Sequence, residues 1–199
     1  RWIVPEFSGA LARLADLTIA SALLILALQL LGTLGILTLG WTIVGCIAVG
    51  LLAAWIGWRQ APRERREVAA PRAQTAALVL ALGVASWVVA EWTFPSLQAL
   101  DYGMFGGDTT WYHMPFSGRI AQEGTILPLH FTDPLRLAAW FYPQSSELIH
   151  GAAIAVMQSD RLSPLLNMFW LAVALLAAWC VGRPYKVGPA TLVAAALIL

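Results

Sequence analysis

The side chains able to do chemistry are gathered in one stretch of the chain. All 3 histidines (His113, His130 and His150) lie between Asp101 and His150. Five of the 11 acidic residues lie there too: Asp101, Asp108, Glu123, Asp133 and Glu147. Carboxylates and imidazoles hold cations, bind phosphates and move protons near neutral pH. Collected in a connecting segment, they point to function more than to packing.

Asp108 follows Gly106 and Gly107 and opens a predicted helix over residues 109–122 (TTWYHMPFSGRIAQ), which Pro115 and Gly118 weaken. Tyr112 stands at i+4 from Asp108 and shares its face, while His113 at i+5 is turned about 100° further. The helix dipole favours the anion of a carboxylate in that position. Asp108 could accept a proton from a hydroxyl, ligate a cation, or cap the helix. A second predicted helix covers 144–158 (QSSELIHGAAIAVMQ), where Glu147 and His150 are spaced i, i+3 and face the same way. That pair could bind a metal, position a phosphate, or stand solvated at the surface. Asp101 at the head of the stretch and Arg119 on the first helix complete the candidate binding residues. His130 and Asp133 fall in a proline-punctuated irregular stretch and carry no geometric signal of their own.

The elements that must position these residues are membrane helices. The chain is 59% hydrophobic and 12% charged, with a mean hydropathy of +0.72, outside the range of soluble domains. A net charge of +1 gives no basis for nucleic-acid binding. Residues 1–16 read as an amphipathic lead-in at the membrane surface. Residues 17–58 carry no charged side chain and are too long for one span. Gly32, Gly35 and Gly40 near their middle predict a hairpin of two spans, 17–34 and 39–58. Trp41, Trp55 and Trp58 would form an interfacial belt, and Gln29 an interhelical hydrogen bond. The run 59–74 (RQAPRERREVAAPRAQ) carries five arginines and two glutamates and reads as a cytoplasmic loop.

A third span, 75–93, would lead outward, with Glu91 at its outer end. An external segment, 94–162, would then carry the two helices, lying on the membrane surface with Trp111, Met114, Ile120, Leu148, Ile149 and Ile154 covered. A fourth span, 163–182, would return to Arg183 and Lys186. With Arg1 and Arg13, all the basic flanks then fall on one side. Cys46 and Cys180 sit in separate apolar runs and read as small apolar residues rather than a disulfide or metal pair. The chain opens on Arg1 and ends in an apolar run too short to span, so the expectation is the N-terminal portion of a longer protein. The expected fold is an all-α polytopic membrane protein with about four transmembrane helices and a partial fifth. Its parts would be 1–74 (lead-in, hairpin and basic loop), 75–182 (span, external segment, span) and 183–199 (turn and partial span).

The order of an outgoing span, an Asp at the start of an external segment, a Tyr four residues on, a proline-aromatic stretch, a surface helix and a returning span resembles the GT-C superfamily. These are polytopic glycosyltransferases such as the protein O-mannosyltransferases and the lipid A aminoarabinose transferase. DTTWYHMPFSGRIAQEG is similar to their first external-loop motif, and WFYPQSSELIHGAAIAV to the later segment that opens a second surface helix. The likeness covers about residues 75–182. Two features depart from it: Thr109 stands where many members have a second acidic residue, and two spans precede the motif where many have one.

The resemblance implies transfer of a sugar from a polyprenyl-phosphate donor to a hydroxyl on a lipid, glycan or protein acceptor, outside a bacterial plasma membrane. Asp108 would be the general base, and Arg119, Arg136, His113 or His150 would hold the departing phosphate. Single displacement would invert the sugar carbon, by analogy with inverting glycosidases. A divalent cation is left open, since Thr109 breaks the acidic pair. Two other classes compete. A transporter would place polar groups inside its spans, and these spans are nearly pure hydrocarbon. A non-catalytic docking subunit would need no cluster of carboxylates and histidines.

Overall fold

The computed structural model describes residues 9–59, 75–127 and 144–199, and every regular element among these is helical. Hydrocarbon offers no partner to an open backbone N–H or C=O, so apolar runs of this kind satisfy their backbone within a helix. The long apolar runs form α1 (Gly9–Thr33), α2 (Leu39–Arg59), α3 (Thr75–Tyr102) and α6 (Leu162–Gly182). Shorter helices are α4 (Met114–Glu123), α5 (Ser145–Met157) and α7 (Gly188–Ile198).

Three helices, α1, α3 and α6 with its continuation to Tyr185, are long and apolar enough to cross a membrane. Only 11%, 11% and 17% of their most apolar windows are buried within the protein. So little protein cover over such apolar surface fits a membrane protein, whose solvent at this level is acyl chain. The sequence led us to expect four spans and a partial fifth. Among the described residues three helices meet the length and hydropathy that a span needs, and the larger count is not reached there.

Several boundaries move. Residues 9–16 are the first turns of α1 and not a separate surface segment, while residues 1–8 lie outside the described part. The third helix does not stop at residue 93 but runs through Pro95 to Tyr102. Proline removes one i→i−4 bond and crowds the preceding turn. Here the hydroxyls of Thr93 and Ser96 donate back to the carbonyls of Val89 and Trp92, at 2.6 and 2.7 Å, on either side of it. The polar segment therefore begins near residue 103. Glu91, at the expected span end, lies inside the helix and accepts a hydrogen bond from the Trp87 indole at 3.1 Å. Cys46 and Cys180 are both free thiols.

The chain gathers into two compact units. One joins the described residues within 1–20, 56–97 and 167–199. Its core sets Val88 of α3 against Leu171 of α6 and Ala196 of α7, with Val84, Trp92, Met168 and Leu175 packed around them. The turn from α6 to α7 is tight, and the Thr191 hydroxyl donates to the Ala178 carbonyl at 2.7 Å.

The other unit joins the described residues within 21–55 and 98–166. It holds the hairpin turn between α1 and α2, the last turn of α3, all of α4 and α5, and the start of α6. Gly35 (φ +69°) ends α1 in a left-handed conformation, with the Ile36 N–H on the Leu31 carbonyl at 3.0 Å and the Gly35 N–H on the Gly32 carbonyl at 3.2 Å. This turn is bonded to the chain that leaves α4. The Leu37 N–H donates to the Gly124 carbonyl at 2.9 Å, and the Ile126 N–H to the Gly32 carbonyl at 3.1 Å.

Candidate functional site

α4 is entered through one wide helical turn, Thr109–His113, in which the Met114 N–H reaches back five residues to the Thr109 carbonyl. Pro115 accounts for it. An uninterrupted α-helix would drive its ring into the Trp111 carbonyl, and widening the turn opens that space. The expected helix thus survives Pro115, at the cost of a π turn, a feature often found at functional sites. The wider turn also moves the residue that shares a face with Asp108 from i+4 toward i+5, which brings His113 nearer that face.

α4 and α5 pack against one another. Phe116 and Ile120 of α4 and Leu148, Ile149 and Ala152 of α5 are buried. Each large apolar side chain so covered is worth about 1.5–3 kcal/mol. Gly151 permits the close approach: a Cβ there would lie 2.9 Å from the Ser117 carbonyl oxygen and 3.1 Å from Ile120 Cγ2. Trp111, expected to be covered, is 46% exposed. Gly124 ends α4 in a left-handed conformation (φ +67°), turning the chain toward its bonds with the hairpin.

At the α4–α5 contact four of the candidate residues meet. The Nδ1–H of His113 hydrogen-bonds Oε1 of Glu147. Glu147 is 3% exposed, whereas the His113 side chain is 41% exposed. His150, one turn along α5, is buried, and burial pushes its pKa below the ordinary value of 6.5. Glu147 opposes that shift, and His113 adds to it. The Tyr112 ring packs against the His113 imidazole, tilted 39° to it with centroids 4.0 Å apart. The Ser117 hydroxyl donates to the His113 carbonyl at 2.8 Å and fastens that turn. Oε2 of Glu147 and Nδ1 of His150 are buried and have no hydrogen-bond partner among the described residues. The surface reading of the Glu147–His150 pair is therefore corrected. Both are interior groups, because α5 turns that face onto α4 and not to water.

The remaining candidates stand apart from this cluster. Asp108 is exposed in the first turn, already in helical conformation (φ −66°, ψ −32°), and its side chain makes no capping hydrogen bond. A cap needs a non-helical backbone that lets the carboxylate fold back over free N–H groups, so the capping role expected of Asp108 is not taken. Asp101 is exposed in the last turn of α3. Arg119 is ion-paired with Glu123 at 2.7 Å along α4. His130, Asp133 and Arg136 lie outside the described residues. Among the described residues no three His, Cys, Asp or Glu side chains are grouped to hold a metal ion.

Sequence reasoning missed Asp160. Its Oδ2 accepts the Met104 N–H at 2.8 Å, and its carbonyl accepts the Ser163 N–H at 2.8 Å. Asp160 thus ties the chain leaving α3 to the start of α6 and closes the polar segment at its base. Gly103 fits beside it in a left-handed conformation (φ +85°), where a Cβ would lie 3.2 Å from Oδ2. The local signal was a carboxylate just after a helix end, too common a pattern to single out.

No family model, curated protein or solved structure matches this chain. The regular elements of the described residues are all helical, with three helices long and apolar enough to cross a membrane and, between two of them, a helical segment that carries a half-exposed histidine on a buried carboxylate.

Proposed function

We propose that the protein is a membrane glycosyltransferase that moves a sugar from a polyprenyl-phosphate donor to a hydroxyl of a lipid, glycan or protein acceptor. The observation that carries this reading is the pairing of groups on one segment. Asp108 is exposed and caps nothing, and a few residues on, His113 is held by buried Glu147. A soluble-facing loop that only connected two apolar helices would have no use for a buried carboxylate, which is costly unless paired. The likeness of residues 108–124 and 140–156 to the GT-C motifs supplies the reaction class. In this reading Asp108 takes the acceptor's proton, and Tyr112, His113, Glu147 and His150 shape the donor site. Asp101 and Arg119 lie at its margin, and a divalent cation is not required by the argument.

Orientation follows from the arginines. Arg13, the 59–74 run and Arg183 with Lys186 would stay on the cytoplasmic side of a bacterial plasma membrane, leaving residues 103–161 outside. The test is transfer from a polyprenyl-phosphate sugar by the full-length protein, with Asp108→Asn beside wild type at matched membrane levels. Loss of a general base lowers turnover by about 10² to 10⁴. Asp108 caps nothing, so the substitution should leave folding intact. Near-normal turnover in the variant removes Asp108 from the mechanism. Absence of transfer in the wild-type protein removes the reading.

A further inference from the structure

The departing group in such a transfer is a phosphate, and the segment offers several basic side chains that could hold it. Arg119 is engaged by Glu123 at 2.7 Å. His150 is buried and, held below its ordinary pKa, is neutral at pH 7. His113 differs from both: its ring is fixed at one nitrogen by a buried carboxylate and 41% of its side chain faces outward. We infer that His113, oriented by Glu147, holds the phosphate of the lipid-linked donor through its Nε2. The inference rests on the transfer reading above.

The geometry assigns the atoms. Nδ1 is committed to Glu147, so Nε2 is the nitrogen left for a ligand. Both ring nitrogens donate only in the imidazolium. A phosphate at Nε2 thus completes a cation held between two anions, the buried carboxylate on one side and the ligand on the other. The Tyr112 ring packs against the imidazole, tilted 39° to it with centroids 4.0 Å apart, and helps to hold its orientation. Oε2 of Glu147 and Nδ1 of His150 are buried with no hydrogen-bond partner among the described residues, so among these His113 is the one side chain bonded to Glu147. Glu147 touches no phosphate itself and acts through His113 as a positioning residue.

The experiment uses the full chain in detergent or nanodiscs. Carbethoxylation of His113 by diethyl pyrocarbonate is followed by mass spectrometry, with farnesyl phosphate, farnesol or inorganic phosphate present. Farnesyl phosphate should protect His113, and farnesol should not. Inorganic phosphate should protect only at much higher concentration, since it lacks the lipid's contribution. Equal protection by inorganic phosphate would overturn the assignment to a lipid donor, and unchanged labelling with farnesyl phosphate would overturn the site altogether. Glu147→Gln keeps the shape but removes the charge. It should weaken farnesyl phosphate binding by about ten- to a hundred-fold, the usual range for a charged hydrogen bond, and leave farnesol binding unchanged. Equal weakening of both ligands would mark Glu147 as structural only and overturn its positioning role. If that variant fails to fold, the wild-type protection series decides alone. Protection without sugar transfer leaves the phosphate site standing and removes the transfer reading. Transfer with no protection does the reverse.

Discussion

Gly151→Ala tests the helix contact on which the site depends. Alanine in a helix interior is ordinarily more stable than glycine by about 0.5–1 kcal/mol. At Gly151, however, the new methyl would sit 2.9 Å from the Ser117 carbonyl and within 3.2 Å of Ile120 Cβ, atoms that cannot swing aside. The helices must separate by several tenths of an ångström, and overpacking of this kind costs about 1–3 kcal/mol. The expected result is a net loss of up to about 2.5 kcal/mol, from those two ranges taken together. Gly118→Ala, on α4, is the control. Nothing lies within 4 Å of the Cβ it would add, so the propensity gain of about 0.5–1 kcal/mol stands unopposed. Two identical substitutions on adjacent helices should therefore move stability in opposite directions. Thermal unfolding in detergent reads the difference, at about 2–4 °C per kcal/mol for a chain of this size. A rise in the midpoint for Gly151→Ala as large as that for Gly118→Ala would refute the close packing of α4 on α5, and with it the burial of Glu147.

Asp160→Ala should cost about 1.5–3 kcal/mol, the worth of a hydrogen bond to a charged acceptor, while Asp160→Asn should cost less because its carbonyl can still accept the Met104 N–H; equal unfolding midpoints for Asp160→Ala and wild type would exclude the clamp. His150 gives a pH dependence. Its native pKa lies below 6.5, so the folded state takes up fewer protons than the unfolded chain as pH falls past that value. Stability should be lost below pH 6.5 and level off once the native pKa is passed; His150→Asn should flatten the curve between pH 7.5 and 5.5 (approximate test limits), and an unchanged slope would place the effect elsewhere. For topology, single cysteines at Ala69 and Gln122, in a background lacking Cys46 and Cys180, should label from outside intact cells at Gln122 alone. External labelling of Ala69 would reverse the orientation.

Much of the architecture was legible in the sequence because it depends on sums over many residues. The uncharged run 17–58 predicted a hairpin, and the turn falls at residues 34–38 between α1 and α2, with Gly35 in the left-handed conformation. The helix expected over 144–158 is α5, Ser145–Met157, and that expected over 163–182 is α6. Boundaries set by single residues were less legible. Pro115 looked like a weak point in one dimension, but a wide turn absorbs it, and the third helix, expected to end at residue 93, continues through Pro95 with flanking hydroxyls bonded across it. Asp108 was legible as a residue at a helix start but not as an uncapped one, since capping depends on backbone angles that composition does not specify.

The sequence by itself determined the class of solvent this chain requires, the helical periodicity of its segments, and the concentration of histidines and carboxylates in one stretch. Those properties are local or additive, so they survive without knowledge of the fold. Only the tertiary structure decided that Glu147 and His150 are interior groups, that His113 reaches Glu147 across 34 residues of chain, and that Asp160 clasps Met104 across 56. The i, i+3 spacing of Glu147 and His150 fixes a shared helix face but not what that face meets. What it meets is α4, brought close because Gly151 has no side chain to hold the Ser117 carbonyl away.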